Sequence, residues 1–273
     1  MKPVLFITGA SSGIGKATAL YFHQQGWRVV ASMRNPQNEK DLKQDDRLIL
    51  VKLDVEQKET IAPAIQKALE TFGQIDVWLN NAGYGAYGPM EAGTEEEIRR
   101  QYEVNFFGLI SCMREILPHF KSRKTGTIIN ISSIGGLMTL PMFGVYNSSK
   151  FALEGLTEGL WYDLQPLGIK VKLVEPGGIK TDFAGRSMNE FDQSKFPEYK
   201  AYNDKILARF RDPKYTQNFG TPEMVAEVIW QAATDGTNTL RYLAGKDAKQ
   251  FWGLRRWMGY KFQMEQVKKY FGI

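Results

Sequence analysis

Two hydrophobic rhythms take turns along the first 180 residues. Short unbroken apolar runs at 4–7, 27–32, 47–54, 75–80, 127–132 and 169–175 predict six strands. These runs do not alternate with polar residues, so both faces of each strand are expected to be covered, as in parallel sheets. Between them, 3.6-residue spacing predicts helices over 13–25, 61–72, 94–120 and 146–164. Gly26 and Gly73 stand where a helix ends in a left-handed residue. Thr94-Glu95-Glu96-Glu97 has the order of a capping box. Regular strand–helix alternation predicts an α/β, doubly wound sheet. After Thr181 the rhythm changes. Residues 182–220 are polar and aromatic with no strand signal, Thr221-Pro222-Glu223 starts a helix with proline at its first position, and 239–243 offers a seventh strand. With no repeat, low-complexity tract or linker, residues 1–273 read as one domain. It carries an insertion at about 182–220, read as a substrate lid, and a helical tail at about 247–273.

Composition narrows the function classes. The 273 residues are 43% hydrophobic and 24% charged, ordinary for a globular domain with a sizeable core. No apolar run approaches the ~20 residues of a membrane-spanning helix. The first apolar stretch is too short for a signal peptide and reads as a buried strand. The single cysteine, Cys112, makes neither an intrachain disulfide nor a zinc-ribbon site, and agrees with a cytoplasmic location. His23 and His119 lie in no motif, so neither a Ser-His-Asp hydrolase nor a histidine metal site is supported, and no metal is expected. The net charge of +5 and pI near 9.1 come without a focused basic stripe, which speaks for a mildly basic surface and against nucleic acid.

Chemistry begins directly after the first strand. Thr8-Gly9-Ala10-Ser11-Ser12-Gly13-Ile14-Gly15 leads into a helix. Glycines allow a tight turn and close approach of backbone N–H groups to a pyrophosphate, and the helix N-terminus adds partial positive charge. The spacing G-x-x-x-G-x-G differs from the usual G-x-G-x-x-G, but its strand–loop–helix setting is the required one. About 20 residues on, where an NAD enzyme carries a carboxylate for the ribose, the chain reads Ala31-Ser32-Met33-Arg34-Asn35 with no acid. Arg34 could hold a 2′-phosphate, so NADP(H) is favoured and NAD(H) stays open.

Tyr146 and Lys150 sit four apart at the start of a predicted helix and share a face. A tyrosine of pKa near 10 is a poor base at neutral pH, and a nearby ammonium would lower that value. Such a tyrosine can give a proton to a carbonyl being reduced or take one from an alcohol. Ser133, ending the fifth strand, is placed to hydrogen-bond the substrate oxygen. Alternation along the strand forbids Ser132 and Ser133 from both facing it.

Taken together, these motifs resemble those of the short-chain dehydrogenase/reductase family, over nearly the whole chain and in the family's order. To the glycine loop and Tyr146-Asn147-Ser148-Ser149-Lys150 they add Asp54-Val55, Asn80-Asn81-Ala82-Gly83, Asn105, Ser132-Ser133 and Pro176-Gly177. The resemblance implies a Rossmann-type, seven-stranded, mostly parallel sheet with helices on both faces, and hydride transfer between a nicotinamide and an alcohol/carbonyl pair. By the same resemblance Gly9, Ser11, Ser12, Gly13, Ile14 and Gly15 form the phosphate loop. Asp54 and Val55 would touch the adenine, and Asn81, Ala82 and Gly83 would line the adenosine side. Tyr146 and Lys150 would face the cofactor, with Lys150 on the nicotinamide ribose. Asn105 would hold a water that relays protons to Lys150. Pro176, Gly177, Ile179 and Thr181 would seat the carboxamide, and Ser133 is preferred to Ser132 as the catalytic serine.

The stretch Asn81-Ala82-Gly83-Tyr84-Gly85 with Gly88-Pro89 and Glu91 is similar to the hydroxysteroid- and retinol-dehydrogenase-like branch. A hydrophobic ketone, secondary alcohol or aldehyde is expected to meet Ser133, Leu140, Phe143 and Tyr146. The insertion, with Phe183, Met188, Phe191, Phe196, Tyr199 and Tyr202, would cover it. The aromatic, basic tail (Phe251, Trp252, Trp257 and Tyr260 among Lys249, Arg255, Arg256 and Lys261) reads as packing on the domain or a partner subunit, with a peripheral membrane helix as the alternative. Helices 94–120 and 146–164 form the family's usual interface, which implies a homodimer or homotetramer. A different class, a nucleotide-sensing or scaffold protein with weak turnover, is opposed by the complete Asn105, Ser133, Tyr146 and Lys150 set.

Overall fold

The computed structural model describes residues 2–180, 187–217 and 219–273. Seven strands form one sheet in the order β3-β2-β1-β4-β6-β7-β9, every pair parallel. They are β1 (Val4–Ile7), β2 (Arg28–Met33), β3 (Leu48–Lys52), β4 (Val77–Asn80), β6 (Gly126–Ile131), β7 (Ile169–Pro176) and β9 (Arg241–Ala244). Among the described residues, the α-helices longer than four residues are α1 (Gly13–Gln24), α2 (Ile61–Phe72), α3 (Glu95–Tyr102), α4 (Gly108–Arg123), α5 (Gly144–Leu164), α6 (Lys200–Arg211), α7 (Pro222–Thr234) and α8 (Lys246–Phe271), with a single α-helical turn at Pro213–Thr216. The sheet is thus wholly, not mostly, parallel.

Because a strand turns successive side chains to opposite faces, β1 splits its residues. Val4 and Phe6 join a core built with α2, α4 and α5, while Leu5 and Ile7 join a second core built with α1 and α7. Phe22, Trp27 and Trp230 close the second core, with ring centroids 5.0–5.5 Å apart. A third cluster lies beyond the carboxyl edge of the sheet. It joins Tyr87, Met138, Met142 and Phe143 to Ile206 of α6 and to Ala248, Val267 and Phe271 of α8.

Three local features depart from the sequence reading. The long helix predicted over 94–120 contains a π-helical turn, Glu103–Phe107, between α3 and α4. The insertion, read as strandless, holds β8 (Met188–Glu190), which pairs in parallel with β5 (Gly85–Tyr87). A three-residue strand is too short to leave a period in the sequence. The tail helix breaks at Gly259, whose φ of 78° and ψ of 170° are open to glycine alone. The capping box is present, with Thr94 Oγ1 accepting from Glu97 N and Glu97 Oε2 accepting from Thr94 N. Among the described residues, no helix is long and apolar enough to cross a membrane.

Candidate active site

Connections leave the sheet in opposite directions from β1 and β4, so a crevice opens outside their carboxyl ends, where doubly wound sheets bind ligands. A cleft of about 450 Å³ lies there. Gly9, Ser11, Ser12, Gly13 and Ile14 form one wall and present the unpaired first-turn N–H groups of α1. Gly9 has φ +70°, and a Cβ on it would meet Ala82 Cα at 2.8 Å. Gly15 serves packing instead. It does not line the cleft, and a Cβ there would stand 2.5 Å from Asn81 Nδ2 and closer still to the Gly9 carbonyl. Asn81 Nδ2 donates to the carbonyls of Thr8 (3.0 Å) and Gly9 (2.9 Å), and Asn81 N and Ala82 N donate to Thr8 Oγ1. This ties the end of β4 to the loop and fixes its shape.

Asp54, Val55, Asn81, Ala82, Gly83, Arg34, Tyr146 and Lys150 all line the same cleft. Arg34 is exposed and has no hydrogen-bond or ion-pair partner among the described residues. It also borders a smaller hollow of about 270 Å³ with Ser11, Lys16, Asn35 and Glu39. Two acids border this hollow beside Arg34, but both are engaged, Glu39 with Lys16 Nζ at 2.9 Å and Asp41 with it at 2.6 Å.

At the other end of the cleft, Tyr146 shares a hydrogen bond with the Ser133 hydroxyl. Ser133 Oγ also accepts from Gly135 N at 3.0 Å, which holds it at the end of β6. Ser132 turns away, towards the buried Glu154 carboxylate, as strand alternation requires. Lys150 is buried one helical turn below Tyr146. Its Nζ donates to Ile131 O at 3.0 Å and lies 6.0 Å from the centre of the Tyr146 ring. Burial pushes the Lys150 ammonium down to about 8, with the Glu154 charge opposing. Burial raises the Tyr146 phenol above its ordinary value, and the Ser133 hydrogen bond works against this. The lowered tyrosine expected from the Lys150 charge is thus not the state of the protein alone, because desolvation outweighs the other influences on the phenol.

Asn105 falls inside the π-helical turn, a widening often found at functional positions. Its Oδ1 accepts from Tyr84 N at 3.0 Å, and its Nδ2 donates to Tyr84 O at 2.8 Å. A Cβ on Gly83 would lie 3.2 Å from Asn105 Oδ1 and 3.8 Å from Lys150 Nζ, so the glycine leaves these two groups side by side.

Phe143 stacks edge-on with Tyr146 (6.0 Å), Tyr87 (5.0 Å) and Phe210 of α6 (5.7 Å), and Leu140 packs on the same cluster. Phe191 is a core residue rather than a free lid residue, because Gly88 and Gly93 press against its ring. Tyr199 donates to Glu91 Oε1 at 2.6 Å, and Tyr202 packs on the third cluster. Pro176 ends β7, Gly177 and Ile179 follow it, and all three lie outside the cleft walls. Gly177 N donates to Ala244 O, and Ile179 packs on the second core. Thr181 and Phe183 lie outside the described residues.

Met188, expected over the substrate, and Tyr84, noted only as part of the Asn81–Gly85 stretch, both line the cleft, as do Arg100 and Asn189, which stand in no sequence motif. Arg100 lies over the Tyr84 ring and is fixed by two bonds to Glu56, at 2.9 and 3.0 Å. Cys112 is buried, its thiol pushed up to about 12 by desolvation, and is no nucleophile. Among the described residues no cluster could hold a metal ion.

Comparison with known proteins agrees with this geometry. A family profile described as short chain dehydrogenase matches residues 3–191. A 3-ketodihydrosphingosine reductase of Bacteroides thetaiotaomicron is 40% identical over 192 residues, 70% of each chain. Human 17-beta-hydroxysteroid dehydrogenase type 1 is 33% identical over 262 residues, 88% of this chain and 77% of the human one. A short-chain dehydrogenase from Streptomyces avermitilis superposes with TM-score 0.82 at 32% identity, covering 98% of this chain and 97% of its own. ElxO with NADP bound superposes at 0.72 with 28% identity over 89% and 98% of the two chains. A Burkholderia phymatum short-chain dehydrogenase in complex with NAD does so at 0.78 with 25% identity over 93% of each.

Proposed function

Because the chain belongs to the short-chain dehydrogenase/reductase family and is an NAD(P)-dependent oxidoreductase, we propose that it moves a hydride between NADP(H) and a hydrophobic ketone, or the matching secondary alcohol, with an aldehyde as the variant. The observation that carries this reading is the hydrogen-bonded Tyr146–Ser133 hydroxyl pair at one end of a cleft whose other end is the glycine loop.

The cleft fits a dinucleotide. Gly9 and Gly13 line it with positive φ (70° and 53°), a conformation glycine adopts freely, which shapes the loop for a pyrophosphate, and the N-terminus of α1 favours its charge. Bound there, a nicotinamide supplies the hydride in reduction and accepts it in oxidation. Ser133 donates a hydrogen bond to the substrate carbonyl oxygen and fixes its position. Tyr146 gives its hydroxyl proton to the same oxygen as the carbon becomes tetrahedral, and in oxidation it takes that proton from the alcohol. A phenol raised by burial stays protonated at neutral pH, which suits the donor role. Lys150 stabilises the phenolate left behind and would hydrogen-bond the nicotinamide ribose, and Asn105 steadies the end of the proton path beside it. Phe143, Leu140 and Met188 keep water from the reacting carbon and give the site its apolar character.

Arg34 supports NADP(H), because among the described residues it is an exposed cation without a partner that borders both the cleft and the smaller hollow, while the nearby carboxylates of Glu39 and Asp41 are held by Lys16. A hydroxysteroid dehydrogenase and a ketodihydrosphingosine reductase among the relatives support an apolar substrate. Exposed Phe107 and Tyr162, on the π-turn and α5, support association through those helices.

The test is NADPH oxidation by purified protein against a panel of steroid-like, long-chain and small polar ketones. Turnover is expected to favour the apolar ones. Tyr146→Phe is expected to lower it about 10²–10⁴-fold with NADPH binding kept. Near-normal turnover by the phenylalanine variant, or no oxidation with any ketone or aldehyde, removes the assignment.

A further inference from the structure

The tail helix α8 is interrupted at Gly259. In one straight helix Phe251 and Tyr270 would stand about 28 Å apart at 1.5 Å per residue, yet their ring centroids are 6.3 Å apart. The two arms therefore fold back on each other. Arg255 Nη1 donates to Gln263 Oε1 at 3.2 Å across the pair, and Gln263 is buried between the arms. At the base, Ala248, Val267 and Phe271 enter the third cluster beside Met138, Phe143 and Tyr146. Trp252 lies under the Arg241 guanidinium, 5.4 Å from it.

The tip has the opposite character. Trp257 is 82% exposed, Tyr260 59%, Met258 53% and Met264 53%. Single exposed apolar side chains are ordinary, but four within residues 257–264, at and just beyond one turn, are not. Charge is also sorted there. No acidic residue lies between Asp247 and Glu265, while Lys249, Arg255, Arg256 and Lys261 do. Arg256 and Lys261 are exposed and flank the turn. Trp and Tyr have an apolar body and a polar edge suited to the boundary between water and hydrocarbon. A basic collar beside them complements anionic headgroups. A second copy of the chain fits less well, because a two-fold interface at the tip would set Arg256 and Lys261 against their own equivalents.

We propose that the α8 hairpin is a docking tip for an anionic lipid surface. Trp257, Met258, Tyr260 and Met264 enter the headgroup–acyl boundary, and Arg256 and Lys261 meet lipid phosphates. The base of the hairpin is packed into the cluster around Phe143 and Tyr146, so docking brings the substrate end of the protein to the membrane. This holds whatever carbonyl compound is reduced.

The experiment is co-sedimentation of the full chain with vesicles of phosphatidylcholine, with and without phosphatidylglycerol, with size-exclusion chromatography run in parallel. Binding is expected to anionic vesicles, to weaken with salt, and to fall at least about tenfold in the Arg256→Glu/Lys261→Glu variant. Trp257→Ser/Met258→Ser/Tyr260→Ser is expected to fall as far. Both variants change exposed side chains, and unchanged NADPH binding and Tm verify that they fold. Quenching of tryptophan fluorescence by brominated lipid is expected for the wild type and is expected to be largely lost in Trp257→Phe. No binding to anionic vesicles, or binding that both variants retain, overturns the proposal. So does a concentration-dependent dimer that the serine variant dissolves while no vesicle binding is found.

Discussion

The sheet half of the molecule and its C-terminal cap both bury large apolar side chains, but by different routes. In the sheet half, neighbours in space follow from the βα plan. Val4 and Phe6 face one core and Leu5 and Ile7 the other because strands alternate. In the cap, Phe143 joins its near neighbour Tyr146 to Tyr87 and Phe210 from two distant stretches of chain, and Phe191 fills the space left by Gly88 and Gly93. The first kind of core is repeated and over-determined, and it presents a rigid glycine loop. The second rests on a few long-range meetings of rings and forms the wall beside Tyr146. On the proposed reading, the binding of the hydride-carrying cofactor stands on the first, and the choice of substrate on the second.

The largest effect that would sharpen this contrast is expected at Gly15. Gly15→Ala drives a Cβ into the Gly9 carbonyl and Asn81, atoms that cannot yield without moving the loop. A loss of about 3 kcal/mol in denaturant unfolding, together with loss of NADPH binding, is expected. A stable variant that still binds NADPH would mean that the loop is not rigid.

Next comes Lys150→Met, expected to lower kcat/KM for alcohol oxidation on the order of 10²-fold and to move its alkaline rise to higher pH. Stability separates this from misfolding. The Lys150 pKa is lowered to about 8 in the folded state from its ordinary 10.5. Between those values the unfolded chain holds the proton and the folded one does not, so wild-type stability is expected to rise with pH through that window. At pH 7 the buried ammonium costs stability, and Lys150→Met is expected to keep or raise Tm while flattening the rise. An active variant with an unshifted activity profile would remove Lys150 from the mechanism.

Arg34→Asp is a surface change with a smaller expected effect, a rise in KM for NADPH on the order of 10–100-fold with little change for NADH or for Tm. Unchanged preference for NADPH would show that another group reads the phosphate.

Gly259→Ala is expected to have the smallest effect. Its left-handed backbone resists a side chain, but nothing lies within 4 Å of the added Cβ. About 1–2 kcal/mol and a few degrees of Tm are expected, confined to the outer arm of α8, with NADPH affinity intact. Loss of cofactor binding would break the separation of cap and sheet.

The chain's own pattern determined a good deal. Unbroken apolar runs foretold six of the seven sheet strands and a parallel arrangement, since burial on both faces leaves a mark on every residue of a strand, while the seventh was only offered at 239–243. The loop from Thr8 to Gly15 was legible because its glycines and its place between strand and helix are local facts. So was the shared face of Tyr146 and Lys150, set by helical spacing alone. Other features had no local mark. The π-helical turn around Asn105 adds one residue to a turn without changing residue type, and β8 is too short for a period. The direction in which Tyr146 is shifted depends on how much water the surrounding residues exclude. The fold-back at Gly259 is held by pairs such as Phe251 with Tyr270, nineteen positions apart. Periodicity records which face of an element is buried, whereas a partner from a distant stretch is chosen only when the whole chain has packed. For that reason the glycine loop and the Tyr146–Lys150 face could be read from the sequence, and the wall beside Tyr146 and the exposed tip of α8 only from the tertiary structure.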